Sequence, residues 1–462
     1  MSRNNGTVIL VSDSPLGDSV SRLLTHLKYQ VLTPKEWREN QSLKNICGLI
    51  FCMETSFKEK RSPLKSIEQL NSQWESLMEK ETHEAFKLTI ELLPVLHETF
   101  KATKIPSTIV FLGSKMVRSP NSPNQVIPSV VKRAVQAFCG SMFFEKRVEG
   151  LRLSCINPSP QVPNESIAQS LIFPFLASKT SCIEALDLTT IKAFPGEKKY
   201  GACFVTGGSK GIGKSIAIRL AKEFNMPMGI LARDEKALIE TSNELSQYLD
   251  SNKIYTFQFD VRNQDKLKSA IDFMAERFGG ISVLVCSAGI NRRANAVLSN
   301  GTKFASSKIW QDIVDINFVS AMHATSFALP HMIKRPEGPS IFYVGSRMIR
   351  LGSAPGQQAY IASKMAIAGF AASVQQEVKD FGVRVVCLNV GLVSTDLGNK
   401  IPKDKKFMVV PGELQIQPED IADAVAFTMH TDPKVSPVSF DICGMVDEYV
   451  DVSGGALKLS NL

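Results

Sequence analysis

Residues 107–158 align without a gap on residues 339–390, an internal repeat that limits the chain to folds that can be built twice. FLGSKMVR at 111–118 faces YVGSRMIR at 343–350. VKRAVQAF at 131–138 faces SKMAIAGF at 363–370, and GLRLSCIN at 150–157 faces GVRVVCLN at 382–389. Each copy reads as an apolar strand, a loop, an amphipathic helix and a second apolar strand without alternation. Such strands are buried on both faces, and helices between them imply a parallel sheet covered on both sides. The expected fold is α/β, two tandem doubly wound parallel-sheet domains over 1–190 and 198–462. LDLTTIKAFPGEKK at 186–199 has the proline, glycine and lysines of a linker between them. A chain of 462 residues suits two domains.

Composition excludes several classes. A chain 44% hydrophobic and 21% charged is globular rather than disordered. No apolar run reaches the roughly 18–20 residues of a membrane span, and MSRNNGTVILVSD lacks the pattern of a secretory signal. A cytoplasmic protein without membrane association is expected; the final LKLSNL offers a peroxisomal address as the alternative. The net charge of +8 is spread over both halves, so no nucleic-acid partner is expected. Nine scattered cysteines without a C-x-x-C pair indicate thiols in a reducing compartment, and no metal site.

The second copy carries the chemistry. TGGSKGIG at 206–213 lies between an apolar strand and the amphipathic KSIAIRLAKEF. A glycine turn in that context lets backbone approach a pyrophosphate at a helix N-terminus. The turn residues are Gly207, Ser209, Lys210, Gly211, Ile212 and Gly213. At the end of the next strand, where a carboxylate would read an NAD ribose, the first charge is Arg233. Arg233 and Lys210 suit a 2′-phosphate, so NADPH is the expected cofactor, with NADH as the alternative and Asp234 next in sequence. Asp260, with Val261 beside it, either meets the adenine or is an ordinary strand-end aspartate. Downstream come Asn317, Ser346 and the pair Tyr360 and Lys364. Tyr and Lys at i and i+4 share a helix face. An ammonium there is expected to pull the phenol down from about 10 toward working pH, making Tyr360 a proton donor to a carbonyl, with Ser346 bonding the same oxygen.

The order TGxxxGxG, Asn, Ser, Tyr-x-x-x-Lys over about 200–458 resembles the classical short-chain dehydrogenase/reductase family, a Rossmann-like fold. AGINR at 288–292 and VDVSGG near the end are similar to its β-ketoacyl-acyl-carrier-protein reductase branch. The resemblance implies Tyr360 as catalytic acid/base and Ser346 as the substrate-orienting hydroxyl. It implies Lys364 on the nicotinamide ribose, Asn317 holding a relay water, Thr395 at the nicotinamide amide, and Ala288 and Gly289 at the cofactor. The chain departs from the family pattern at Cys286-Ser287 and at Val390-Gly391. The reaction implied is NADPH-dependent reduction of a 3-ketoacyl thioester of CoA or acyl carrier protein. Alternatives are a broad carbonyl, quinone or steroid reductase and, without catalysis, a dinucleotide-binding scaffold. In the segment where the family has its lid, Lys400, Lys403, Lys405 and Lys406 either meet substrate phosphates or are simply solvated, and Phe407–Val410 either line an acyl pocket or pack the lid down.

In the first copy Ser346 becomes Ser114 and Lys364 becomes Lys132, but Tyr360 becomes Pro128. The turn VSDSPLGDSV keeps only Gly17, beside Asp13 and Asp18, which repel a pyrophosphate. This half reads as a degenerate Rossmann or flavodoxin-like domain without catalysis. The arrangement resembles the high-molecular-weight ketoacyl reductases, and a homodimer imitating a four-domain assembly is expected.

Overall fold

The computed structural model describes residues 6–12, 14–40, 45–52, 79–114, 134–135, 137–139, 150–178, 181–197, 199–292, 307–351, 356–396 and 415–444. The chain divides into two compact units, Met1–Thr190 and Ile191–Leu462.

In chain order the first unit holds β1 (Thr7–Val11), α1 (Pro15–His26), β2 (Gln30–Leu32), α2 (Pro34–Glu39), β3 (Ile46–Phe51) and α3 (Glu84–Thr103). It continues with β4 (Ser107–Leu112), β5 (Leu151–Pro158), α4 (Asn164–Leu176) and β6 (Ser181–Thr190). All pairings are parallel, in the order β2-β1-β3-β4-β5-β6, which begins as the flavodoxin-like 2-1-3-4-5 does. Ile9, Leu49, Ile109, Phe111 and Leu153 meet Leu88, Leu92 and Leu96 of α3 in one core, and α1 packs on α4 across the other face.

The second unit holds β7 (Ala202–Thr206), α5 (Gly211–Phe224), β8 (Met228–Ala232), α6 (Glu235–Leu245), β9 (Ile254–Gln258), α7 (Gln264–Phe278) and β10 (Ile281–Cys286). Then come α8 (Ser307–Val314), α9 (Ser320–Ala328), β11 (Ser340–Val344), α10 (Met348–Leu351), α11 (Gln358–Val378), β12 (Arg384–Val390), α12 (Pro418–His430) and β13 (Val435–Gly444). Its parallel order is β9-β8-β7-β10-β11-β12-β13. Ala202, Phe204, Leu284, Ile341, Tyr343 and Val385 face α7, α9 and α11. The alternating strand residues point the opposite way, toward the side where α5 packs on α12. The sheet is therefore doubly wound.

The repeat extends further than the gap-free alignment. The helix–strand pair α4–β6 recurs as α12–β13 with identical lengths, 13 and 10 residues. Buried Arg152 and Arg384 open equivalent strands and donate to helix-end carbonyls of Pro174 (3.3 Å) and Thr428 (2.6 Å). The first unit lacks a counterpart to β9 among its described residues. The segment 186–199 differs from the expected linker: its first five residues complete β6, with Leu186 and Leu188 fully buried. Packing of those leucines overrides the turn signal, which resides only in Pro195 and Gly196.

From Ile191 the chain runs as a strap along the amino edge of the second sheet. Ile191 N donates to Lys434 O (2.8 Å) and Lys192 N to Lys379 O (2.9 Å). Arg335 Nη2 reaches Lys199 O (3.5 Å), and Tyr200 meets Phe224 edge-on.

Candidate active site

The expected site residues of the second unit follow the carboxyl ends of its strands, around the point between β7 and β10 where strand order reverses. Ligands of doubly wound sheets bind there. At β7 the chain turns tightly: Gly207 has φ +70°, and a Cβ on it would lie 2.8 Å from Ala288 Cα. A Cβ on Gly213 would lie 2.5 Å from the Gly207 carbonyl oxygen, so turn and helix close up only without side chains. Gly207 N donates to Leu231 O (2.8 Å), and Thr241 Oγ1 to Ser209 O (3.0 Å). Lys210 precedes α5 without a side-chain cap. The amides of Gly211, Ile212 and Gly213 thus have no intrahelical acceptor, and with the helix dipole they fit a pyrophosphate. Thr395 comes down on this turn, its Cγ2 3.0 Å from where a Gly211 Cβ would be.

Charges ring the outer end. Lys210 Nζ lies 2.7 Å from Asp234 Oδ2, and Asp234 caps α6 by accepting from Ala237 N (3.1 Å). The Lys210 bond, with that amide, holds Asp234 below the usual carboxylate range. Arg233 Nη1 is 3.7 Å from Asp260 Oδ2. Asp260 accepts from Arg262 through Nε (3.0 Å), Nη2 (2.8 Å) and its backbone N (3.0 Å), which lowers its pKa. Most of the lone-pair capacity of Asp260 is thereby filled. The Val261 side chain belongs to the core, leaving only its main chain to face a ligand.

At the inner end, Ser346 is buried just past β11; its Oγ accepts from Met348 N (3.2 Å) and hydrogen-bonds Tyr360. One turn along α11, Lys364 Nζ donates to Val344 O (2.7 Å) and lies 5.8 Å from the Tyr360 ring centroid. Burial lowers Lys364 to about 8, so it stays mostly charged at neutral pH. Tyr360 departs from expectation: burial raises its pKa, and the Ser346 bond only partly offsets this. The ammonium aims its proton at a carbonyl rather than the phenol, and loss of water around the ring dominates.

Asn317 sits in a π-helical turn, Asp315–Val319, between α8 and α9. Its Oδ1 accepts from Ile290 N (2.8 Å); its Nδ2 donates to Ile290 O (3.0 Å) and Ser363 Oγ (3.1 Å). Both amide protons are committed, so the side chain has no donor left for a relay water. A Cβ on Gly289 would lie 3.4 Å from Asn317 Oδ1 and 3.9 Å from Lys364 Nζ. The loop of Ala288 and Gly289 therefore touches the glycine turn at one end and the Asn–Lys pair at the other.

Sequence reasoning did not single out Arg262 or Ser363. Arg262 carries no motif. Ser363 stands inside Tyr-x-x-Ser-Lys, but its partner Asn317 is 46 positions away. The lid lysines, Phe407–Val410, VDVSGG, the C-terminal Ser-Asn-Leu, Asp13, Pro128 and Lys132 lie outside the described residues. Among the described residues no three His, Cys, Asp or Glu side chains group as metal ligands, and no helix is long and apolar enough to cross a membrane. None of the nine cysteines is in a disulfide.

Residues 202–406 match the short chain dehydrogenase family model. The 3-oxoacyl-(acyl-carrier-protein) reductase FabG of Vibrio cholerae is 31% identical over 254 residues, covering 54% of this chain and 95% of that protein. Its namesake from Staphylococcus aureus strain Mu50 is 29% identical over 234 residues, 50% of this chain and 91% of the relative. A dehydrogenase/reductase structure from Sinorhizobium meliloti 1021 is 27% identical with a TM-score of 0.44, covering 52% of this chain and 92% of that one. The family-model match and the 31% identical relative from Vibrio cholerae place the chain in the short-chain dehydrogenase family, nicotinamide-dinucleotide oxidoreductases acting on CH–OH and C=O groups, in keeping with its glycine turn and its Ser346–Tyr360–Lys364 group.

Proposed function

We propose that the second unit reduces a 3-ketoacyl thioester of CoA or acyl carrier protein to the 3-hydroxyacyl thioester, using NADPH. The observation that carries this reading is the Ser346, Tyr360 and Lys364 group beside the glycine turn. The acyl substrate is supported by the names of the relatives.

The dinucleotide, lodged on the turn of Gly207–Gly213, supplies the hydride when bound. Ser346 and Tyr360 bind the carbonyl oxygen. The raised Tyr360 pKa keeps the phenol in its acid form at neutral pH, ready to protonate the oxygen as negative charge develops there. Lys364 stabilises the phenolate left behind and binds ribose hydroxyls. Asn317 holds the loop at Ile290 and the π turn in register. Lys210 and Arg233, here paired with Asp234 and Asp260, are the cations that would turn to a 2′-phosphate.

The first unit is non-catalytic and supports assembly. Exposed Met322 and Met365 on α9 and α11 suit burial in a homodimer; a stable monomer in light scattering would count against it. A cytoplasmic address is proposed, and punctate fluorescence of a fusion keeping the native C-terminus would overturn it.

The deciding experiment compares NADPH and NADH oxidation with acetoacetyl-CoA in the wild type and Tyr360→Phe. Turnover that prefers NADPH and collapses in the variant supports the reading. Absence of turnover with tight NADPH binding rejects the ketoacyl substrate.

A further inference from the structure

We propose that Ser363 is a positioning residue, its hydroxyl forming the joint that fixes Asn317 to the helix bearing Tyr360 and Lys364. The inference rests on the reductase reading above. Ser363 is 1% exposed. Its Oγ donates to the Tyr360 carbonyl (2.7 Å) and accepts from Asn317 Nδ2 (3.1 Å). A hydroxyl has one proton and two lone pairs, so the bond to Tyr360 O uses the proton and leaves a lone pair for the amide. Through Asn317 the link continues to both backbone groups of Ile290. One buried oxygen thus connects the first turn of α11, the π turn and the loop after β10. Back-bonding to a preceding carbonyl alone would be a local helix feature, as at Ser320 and Thr428. Acceptance from a residue on another helix is what sets Ser363 apart from those two.

The first unit gives an independent observation. There Phe86 stacks on Phe138, which meets Phe111 edge-on. At an offset of 232 positions, Phe370 meets Phe318 and Tyr343 in an equivalent trio. The same offset sets Ala85 opposite Asn317, Val131 opposite Ser363 and Pro128 opposite Tyr360. Three polar groups have become apolar together. The buried Asn389–Asp441 bond (3.0 Å), by contrast, persists as Asn157–Asp187 (2.9 Å). A hydroxyl required only by the scaffold belongs in both copies; this one is absent where the tyrosine is absent.

The test uses the full chain with Ser363→Ala, Ser363→Thr, Asn317→Ala and the double alanine variant. Reduction of acetoacetyl-CoA and of diacetyl is followed with NADPH. Ser363→Ala is expected to lower kcat about tenfold to a hundredfold through misplacement, with KM for NADPH little changed. The double variant should be no slower than Asn317→Ala, because the serine acts through the asparagine. Ser363→Thr, which keeps the hydroxyl, should recover most of the loss. Losses that multiply in the double variant, or an unchanged kcat per folded Ser363→Ala, overturn the proposal. Hydrogen exchange decides without turnover: Ser363→Ala should speed exchange in 287–292 and 315–319 and leave 435–444 unchanged. Equal protection in all three segments overturns the joint. Reduction of diacetyl without acetoacetyl-CoA rejects only the ketoacyl substrate.

Discussion

In the first unit the chain passes from β5 to α4 through residues 159–163, whereas in the second it passes from β12 to α12 through residues 391–417. The elements on either side correspond, so the longer connection is an addition to a common plan. The same contrast runs through the carboxyl edge. There the second unit has its glycine turn, Tyr360 and Asn317, and the positions aligned with them in the first unit's sequence are Gly17, Pro128 and Ala85. Elsewhere the units agree: each buries an arginine under a helix end and bridges its last two strands with an Asn–Asp bond. Groups that hold the layers together are shared, whereas of the side chains aimed at a ligand only Ser346 and Lys364 keep their residue type in the first copy, as Ser114 and Lys132. On the function proposed above, the two copies separate scaffold from chemistry within one chain.

Four experiments bear on that separation. Tyr360→Phe should lower kcat by about 10²–10⁴-fold, measured by steady-state NADPH oxidation. Ser114→Ala, at the position equivalent to Ser346, should leave the rate unchanged; a loss there would break the comparison by bringing the first unit into the chemistry. Gly213→Ala, which sets a methyl against the Gly207 carbonyl, should weaken NADPH binding by about tenfold or more. Gly17→Ala should leave binding untouched, and calorimetry should count one dinucleotide per chain. Two sites per chain would mean that the first turn still works.

Asn157→Ala and Asn389→Ala each deprive a buried aspartate of a donor, and each should cost about 2 kcal/mol of its unit's stability. Urea unfolding followed by a probe in each unit measures this, and a large inequality would show that the bond serves only one copy. The smallest effect concerns Lys364. Its folded value of about 8 lies below the ordinary 10.5, so between these values the unfolded chain binds the extra proton. Stability from this group should then rise with pH, by about 1 kcal/mol from pH 8 to 9. Lys364→Met should lack that rise.

Much of this was legible in the sequence because it is local. Unbroken apolar runs give buried parallel strands, and Tyr360 and Lys364 declare a shared helix face by spacing alone. The repeat was traceable through β5 and β12 but not beyond, since the extra length of 391–417 shifts the register before α12 begins. LDLTT read as linker because Pro195 and Gly196 are strong local signals, while the burial of Leu186 depends on neighbours distant in sequence. The bonds of Asn317 were hidden for the same reason, as they reach Ile290 and Ser363 across separate elements. The direction at Tyr360 depends on how much water the folded site excludes, which spacing cannot report.

The strap from Ile191 to Tyr200 bears on the timing of synthesis. Its first residue bonds beside Lys434, just before β13, so the second unit closes a loop spanning nearly its whole length. Contacts between such distant positions slow folding. On a ribosome, all strands of the first unit emerge before the segment that meets Ile191 has been made. The first unit can therefore be complete while the second still lacks its final strand and an anchored entrance. The first unit would then be the earlier folded neighbour of a late-maturing second unit.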